Sequence, residues 1–149
     1  PLSHVKAHGA LANASWKDAE TAHAIAQATK DFDATLPLMV LPGTLLETEA
    51  KKLNLPVVLE AFPERAYLKN AQLAPRSMAD SSIHDPHEAA RRAVMMVKEK
   101  RVEAVDGGFV ELDAQTLCIH GDNPHAVEIA RAVRQALGAE GIMVKNFAS

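Results

Sequence analysis

Leu38-Met39-Val40-Leu41, then Thr44-Leu45-Leu46-Glu47-Thr48-Glu49-Ala50-Lys51-Lys52-Leu53, then Pro56-Val57-Val58-Leu59 is the stretch that decides the fold. The first and last pieces are short apolar runs of strand length. Between them, Thr44 followed three residues later by Glu47 is a capping box that opens a helix. Leu45, Leu46, Ala50 and Leu53 recur at helical spacing and mark its buried face. A strand, a helix and a strand in so few residues make a βα unit, whose two strands run parallel with the helix as the crossover.

The same alternation extends outward. Upstream, residues 4–8 read as a strand and 16–29 as a helix, with Trp16, Ala19, Ala22, Ile25, Ala26 and Ala28 as its apolar positions. Downstream, residues 62–82 show no period, and an irregular stretch of that length usually forms a functional loop. Asp85-Pro86 then opens a helix to about Lys100, with Asp as N-cap and Pro in the first turn. Residues 102–105 and 109–112 read as short strands around Gly107-Gly108, and 116–120 as a clearer one. A last helix starts at Asn123-Pro124 and ends at Gly138, and 142–144 reads as a final strand. The expected class is α/β with a parallel sheet.

Composition narrows the function. Apolar residues make up 48% and charged residues 23% of the 149-residue chain, which places it among globular proteins rather than disordered ones. The net charge of −3 leaves no basic field to hold a nucleic acid or an anionic membrane. Apolar runs such as 37–42 are far below the ~20 residues of a membrane-spanning helix. The single cysteine, Cys118, rules out an internal disulfide and points to a reducing compartment, the cytoplasm. The chain begins at Pro1 and enters a strand almost at once, which reads as a chain joined in its middle.

Three strands end in polar groups. They run Lys6-Ala7-His8-Gly9, Val57-Val58-Leu59-Glu60, and Thr116-Leu117-Cys118-Ile119-His120-Gly121-Asp122. Ligands of parallel α/β folds bind where strands end at their carboxyl side, so a base, a cation and acids are expected to meet at one rim. His120 with Asp122 to orient it, and Gly121 to allow a close backbone approach, make an acid–base pair; equally, Asp122 or Asn123 serves only as a helix cap. Lys6 and His8 share a face of their strand. A lysine there is either a site residue or a rim residue reaching water. Glu60 is either a base or ligand, or the ion-pair partner of Arg65 or Arg76. Arg65, Tyr67 and Arg76 in or beside the irregular stretch either clamp a substrate carboxylate or tie the loop down by its own ion pairs. His4, His23, His84, His87 and His125 lack metal-type spacing and read as surface or packing residues. Cys118 reads as a core residue, and the chain carries no phosphate loop or dinucleotide fingerprint.

Four segments carry a resemblance when taken in register: Lys6-Ala7-His8-Gly9-Ala10-Leu11-Ala12-Asn13, Glu60-Ala61-Phe62-Pro63-Glu64-Arg65-Ala66-Tyr67, Leu73-Ala74-Pro75-Arg76-Ser77 and Thr116–Asp122. Together they resemble the LamB/YcsF family over nearly the whole chain. The resemblance implies a distorted (β/α) barrel of the polysaccharide-deacetylase-like type. It also implies ATP-dependent opening of the lactam of 5-oxoproline (pyroglutamate) to L-glutamate, carried out with two partner subunits. Members run to about 250 residues, as β/α barrels commonly do, so the chain is expected to be a single α/β domain lacking about 100 N-terminal residues of the complete barrel. The sequence departs from the family's pattern at Ala7 (usually Pro), Ala12 (usually Tyr) and Pro63-Glu64 (usually Ala-Asp).

On this reading His120, Asp122, Lys6, His8 and Glu60 are the catalytic set, and Asn13, Arg65, Tyr67 and Arg76 bind substrate. Whether a metal takes part is left open. A metal-dependent deacetylase would draw its donors from His8, Glu60, His120 and Asp122. An amidohydrolase acting on another small amide, or a non-catalytic homologue that binds partner subunits, are the remaining alternatives.

Overall fold

Thr44 shows how closely local chemistry sets this structure, a computed structural model that describes residues 2–146. The Thr44 hydroxyl accepts from the Glu47 N–H at 3.4 Å and donates to the Leu41 carbonyl at 2.7 Å, so it caps a helix and closes the turn before it. The Glu47 carboxylate takes the Gly43 N–H at 2.7 Å, one residue before the position a standard capping box would use. Thr44 is buried. Replacing it with alanine is therefore expected to lower stability by about 1–2 kcal/mol, read as a lower denaturant midpoint at unchanged slope.

The chain divides into two compact units, one ending at Glu60 and the other starting at Ala61. The first holds β1 (Val5–Lys6), α1 (Gly9–Ser15), α2 (Ala19–Asp33), β2 (Leu38–Val40), α3 (Leu45–Lys52) and β3 (Val57–Ala61), whose last residue begins the second unit. The strands are parallel, with Val5 opposite Leu38, Lys6 opposite Met39, and Leu38, Met39 and Val40 opposite Val57, Val58 and Leu59. Ala22 and Ala26 of α2 pack with Leu46 and Ala50 of α3 against Leu38 and Val40. The alanines lose little side-chain entropy on burial and let the helix lie close to the sheet. The helix expected over 16–29 is α2, which starts three residues later and runs on to Asp33, and a separate helix, α1, precedes it where the sequence gives no sign of one. The Asp18 carboxylate accepts from the Thr21 N–H at 2.9 Å and starts α2 afresh, while Ser15 turns its hydroxyl back onto the Ala12 carbonyl at the end of α1.

The second unit holds α4 (Pro86–Lys98), β4 (Arg101–Glu103), β5 (Phe109–Glu111), β6 (Thr116–Leu117) and α5 (Ala126–Ala139). Asp85 caps α4 by accepting from the His87 N–H at 3.0 Å, with Pro86 at the first helical position as its sequence indicates. Ala89, Ala90 and Ala93 of α4 pack against Ile129, Val133 and Leu137 of α5. β4 and β5 form an antiparallel hairpin across Gly107 and Gly108, whose φ angles of 92° and 80° are costly for any other residue. Cys118 N–H donates to the Ala61 carbonyl at 2.8 Å, which ties the end of β6 to the last residue of β3.

Three expected strands change: the one over 4–8 spans only Val5–Lys6, which leaves His8 off the strand. The run over 116–120 is a strand only at Thr116–Leu117, and 142–144 is not a strand. Ile142 instead packs against the α4–α5 cluster, a use of an apolar residue that needs no ladder partner. The stretch over 62–82 has no helix or strand but is tied to itself, with isolated bridges pairing Arg65 with Ser82 and Tyr67 with Leu73. Among the described residues no helix is long and apolar enough to cross a membrane.

Candidate active site

Glu64 is the centre of the candidate site, although its sequence neighbourhood gives little sign of it. It sits in the irregular stretch just after β3, and its side chain is 3% exposed. Its Oε1 accepts the backbone N–H of His120 at 2.7 Å and also touches the His120 Nδ1. Its Oε2 accepts from Asn123 Nδ2 at 3.3 Å. An ionised carboxylate can only accept, so the His120 proton sits on Nδ1 and Nε2 keeps its lone pair in the neutral ring. The imidazole also stacks on Phe62, with centroids 5.4 Å apart and planes 17° from parallel. Two contacts therefore fix the ring's orientation, one polar and one apolar. The acid that holds His120 is thus Glu64, where the sequence points to Asp122. Glu64 stands at the position where the LamB/YcsF pattern usually has Asp.

His120, Glu64 and Asp122 border a cavity of about 130 Å³. Arg65, Arg76 and His84 also line it, as do Ser82, Asn123 and Pro124. The volume is below the roughly 300–1,000 Å³ of drug-sized ligand sites, which suits a small substrate. Burial and then the nearby Arg76 charge push the Arg65 guanidinium below its ordinary pKa, while Glu64 raises it. Two guanidinium groups that repel each other at a cavity wall favour an anion between them, and a carboxylate has the matching fork.

The substrate clamp expected from Arg65 and Tyr67 takes a different form. Arg65 commits Nε to the Ser81 carbonyl at 3.2 Å and one terminal nitrogen to the Ala74 carbonyl at 2.7 Å, so it chiefly laces the loop together. Tyr67 is fully buried and its phenol accepts the Phe62 N–H at 3.0 Å, which makes it a core residue rather than a ligand contact. Arg76 is exposed and lines the cavity. Gly121 is not required by crowding, since a Cβ there would meet nothing within 4 Å.

In the first unit, Lys6 Nζ lies 2.6 Å from Glu60 Oε1, with side-chain exposures of 24% and 7%. The partner of Glu60 is therefore Lys6, not Arg65 or Arg76. A half-buried lysine paired with a buried carboxylate at strand ends is a costly placement that each charge makes tolerable for the other. His8 is exposed at the N-cap position of α1, without a side-chain capping hydrogen bond, and Asn13 is exposed on α1. Among the described residues no group of three His, Cys, Asp or Glu side chains is placed to hold a metal ion.

Sequence reasoning misses Glu64, Ser82, His84 and Asn123 as site residues. His84 lacks metal spacing and reads as a surface histidine in the sequence, yet it lines the cavity. The signals for Glu64 are a second acid four residues beyond Glu60, in a loop that has no period to orient it, and its place in the segment over 60–67 that carries the resemblance.

Fold and site together define a parallel α/β protein with a carboxylate-held histidine facing a small, cation-rimmed cavity. The chain belongs to the LamB/YcsF family, whose profile matches residues 1–149. It is 65% identical over 147 residues to the A-subunit of 5-oxoprolinase from a Thermus thermophilus strain, covering 99% of this chain and 59% of that protein. It is 49% identical to the 5-oxoprolinase A-subunit of Heliobacterium modesticaldum, covering 97% of this chain and 57% of that one. A solved lactam utilization protein, also from Thermus thermophilus, superposes with a TM-score of 0.92 at 62% identity, over 99% of this chain and 58% of that one. The chain thus spans less than two thirds of the length of these relatives.

Proposed function

We propose that the chain works in an ATP-dependent 5-oxoprolinase, opening the lactam of 5-oxoproline to L-glutamate together with two partner subunits. The observation that carries this reading is the Glu64–His120 pair beside Arg65 and Arg76 on a cavity of ring size. The names of its relatives, a 5-oxoprolinase A-subunit and a lactam utilization protein, supply the substrate class.

An unstrained lactam resists water because nitrogen donates into its carbonyl. ATP, bound or used with the partner subunits, would supply the activation by phosphorylating that oxygen. The work of this chain's residues follows from their chemistry. His120 Nε2 takes the proton of the attacking water, and Glu64 on Nδ1 stabilises the imidazolium that forms. The same imidazolium then returns a proton to the leaving ring nitrogen, which gives γ-glutamyl phosphate, and a second water hydrolyses that to L-glutamate and phosphate. Arg76, with what remains of Arg65, holds the substrate carboxylate, and Asp122 on the cavity wall assists proton exchange with solvent. Lys6, held by Glu60, and His8 are the first unit's candidates for stabilising the oxyanion or phosphate; Asn13 is a candidate substrate contact.

The parallel βα order supports reading the chain as a single domain that forms the C-terminal portion of a distorted (β/α) barrel, and the lone half-buried Cys118 agrees with a cytoplasmic protein. The test is 5-oxoproline-dependent ATP hydrolysis and glutamate formation by the intact protein mixed with its partner subunits. Glutamate matching the ATP consumed is the expected result. A folded, assembled complex without turnover would refute the proposal.

A further inference from the structure

Arg92 lies on the buried face of α4, 4% exposed, among Ala89, Ala93 and Met96. Arginine is almost never found so buried unless its charge is answered. Burial pushes its guanidinium below the ordinary pKa, with Glu88 and Glu103 acting against that shift. Those carboxylates bond to the neighbouring Arg91. The Arg92 guanidinium instead donates to two backbone carbonyls, Nε to Pro63 at 3.1 Å and a terminal nitrogen to Arg65 at 2.8 Å.

Those two carbonyls flank Glu64. The carbonyl of Glu64 itself accepts the Ile83 N–H at 2.8 Å, so three consecutive carbonyls are each held by a donor. Two of the three donors belong to one planar fork. The backbone at Glu64 therefore has little freedom to rotate, and its side chain emerges in one direction, onto the His120 N–H and Nδ1. We infer that Arg92 is a positioning residue: through the carbonyls of Pro63 and Arg65 it aims the Glu64 carboxylate that sets the His120 tautomer. The inference rests on the reading of His120 as the acid–base group. Arg92 itself does not line the cavity.

Geometry separates this role from simple core support. Lysine keeps the charge and reaches one carbonyl, but it cannot bridge two with a rigid fork. In the intact protein assembled with its partners, Arg92→Lys and Arg92→Met are compared with wild type for kcat, KM and thermal melting. The ¹⁵N signals of the His120 ring, which report which nitrogen carries the proton, are measured alongside. Both variants are expected to lose turnover on the order of 10–100-fold with KM little changed, as a misplacement of ~1 Å at a reacting group would produce. Both are also expected to turn a single Nδ1–H pattern into a mixture of tautomers. Arg92→Lys covers the case in which Arg92→Met fails to fold. A folded Arg92→Lys with wild-type kcat and wild-type His120 signals would overturn the inference, whatever its melting temperature. His120→Ala in the same assay keeps the two ideas apart. If it retains turnover while Arg92→Lys still mixes the tautomers, the acid–base reading has failed and the positioning role stands.

Discussion

Replacing His120 with alanine is expected to reduce glutamate formation by the assembled enzyme on the order of 10²–10⁴-fold, the usual worth of a positioned general acid–base. The fold should survive. Alanine leaves the His120 backbone N–H in place, so Glu64 Oε1 keeps that donor and Oε2 keeps Asn123. The buried carboxylate loses one of its three contacts and is not orphaned, and the ring's stacking on Phe62 contributes only modestly to packing. A second readout makes the claim sharper. Because the lost ring borders an existing cavity, imidazole added to the alanine variant should restore part of the turnover. Wild-type glutamate production by a folded His120→Ala protein would remove His120 from the chemistry.

What the amino-acid order reveals depends on how local the governing interaction is. The caps at Thr44 and Asp85 are legible because a side chain and an N–H two or three residues away settle them. The start of α2 at Ala19 is hidden because the apolar spacing already begins at Trp16, and Asp18 acts as a cap only if the chain is already extended there. The strand expected over 142–144 shows the limit from the other side. An apolar triplet takes strand geometry only from a neighbour's ladder, and Ile142 finds a helix pair instead.

The site follows the same logic. His120 can be suspected from its place at the end of an apolar run. Glu64 cannot be assigned to it, because their contact spans 56 residues and depends on the path of an irregular loop. Tyr67 and Arg76 look alike as polar residues in that loop. Only burial distinguishes them, Tyr67 fully enclosed and Arg76 exposed at the cavity. Charge pairing is similarly ambiguous. The sequence offers Arg65 and Arg76 as partners for Glu60, and the parallel strands β1, β2 and β3 bring Lys6 to it instead.

Glu64→Gln is expected to cost nearly as much activity as the loss of His120, on the order of 10²–10⁴-fold in kcat, because it alters the tautomer and removes the charge facing the imidazolium. The amide has one acceptor and one donor end where the carboxylate has two acceptors. If its oxygen faces His120, it can still take the backbone N–H and Nδ1–H, but its NH₂ then meets the NH₂ of Asn123. Asn123 cannot simply flip to relieve that clash, since its Oδ1 already accepts the His125 N–H at 3.0 Å at the start of α5. If the amide turns the other way, its NH₂ points at the His120 N–H and forces Nδ1 to become an acceptor. The ring proton then moves to Nε2, where the base should be. Either orientation breaks something the carboxylate satisfies. The measurement is kcat together with the ¹⁵N signals of the His120 ring in Glu64→Gln and Glu64→Asp. Aspartate keeps two acceptors but is one methylene shorter, so it should retain the tautomer and lose less turnover than glutamine. A glutamine variant with wild-type kcat would mean that Glu64 only anchors the loop, and the base would have to be sought among His84 and Asp122 on the same cavity.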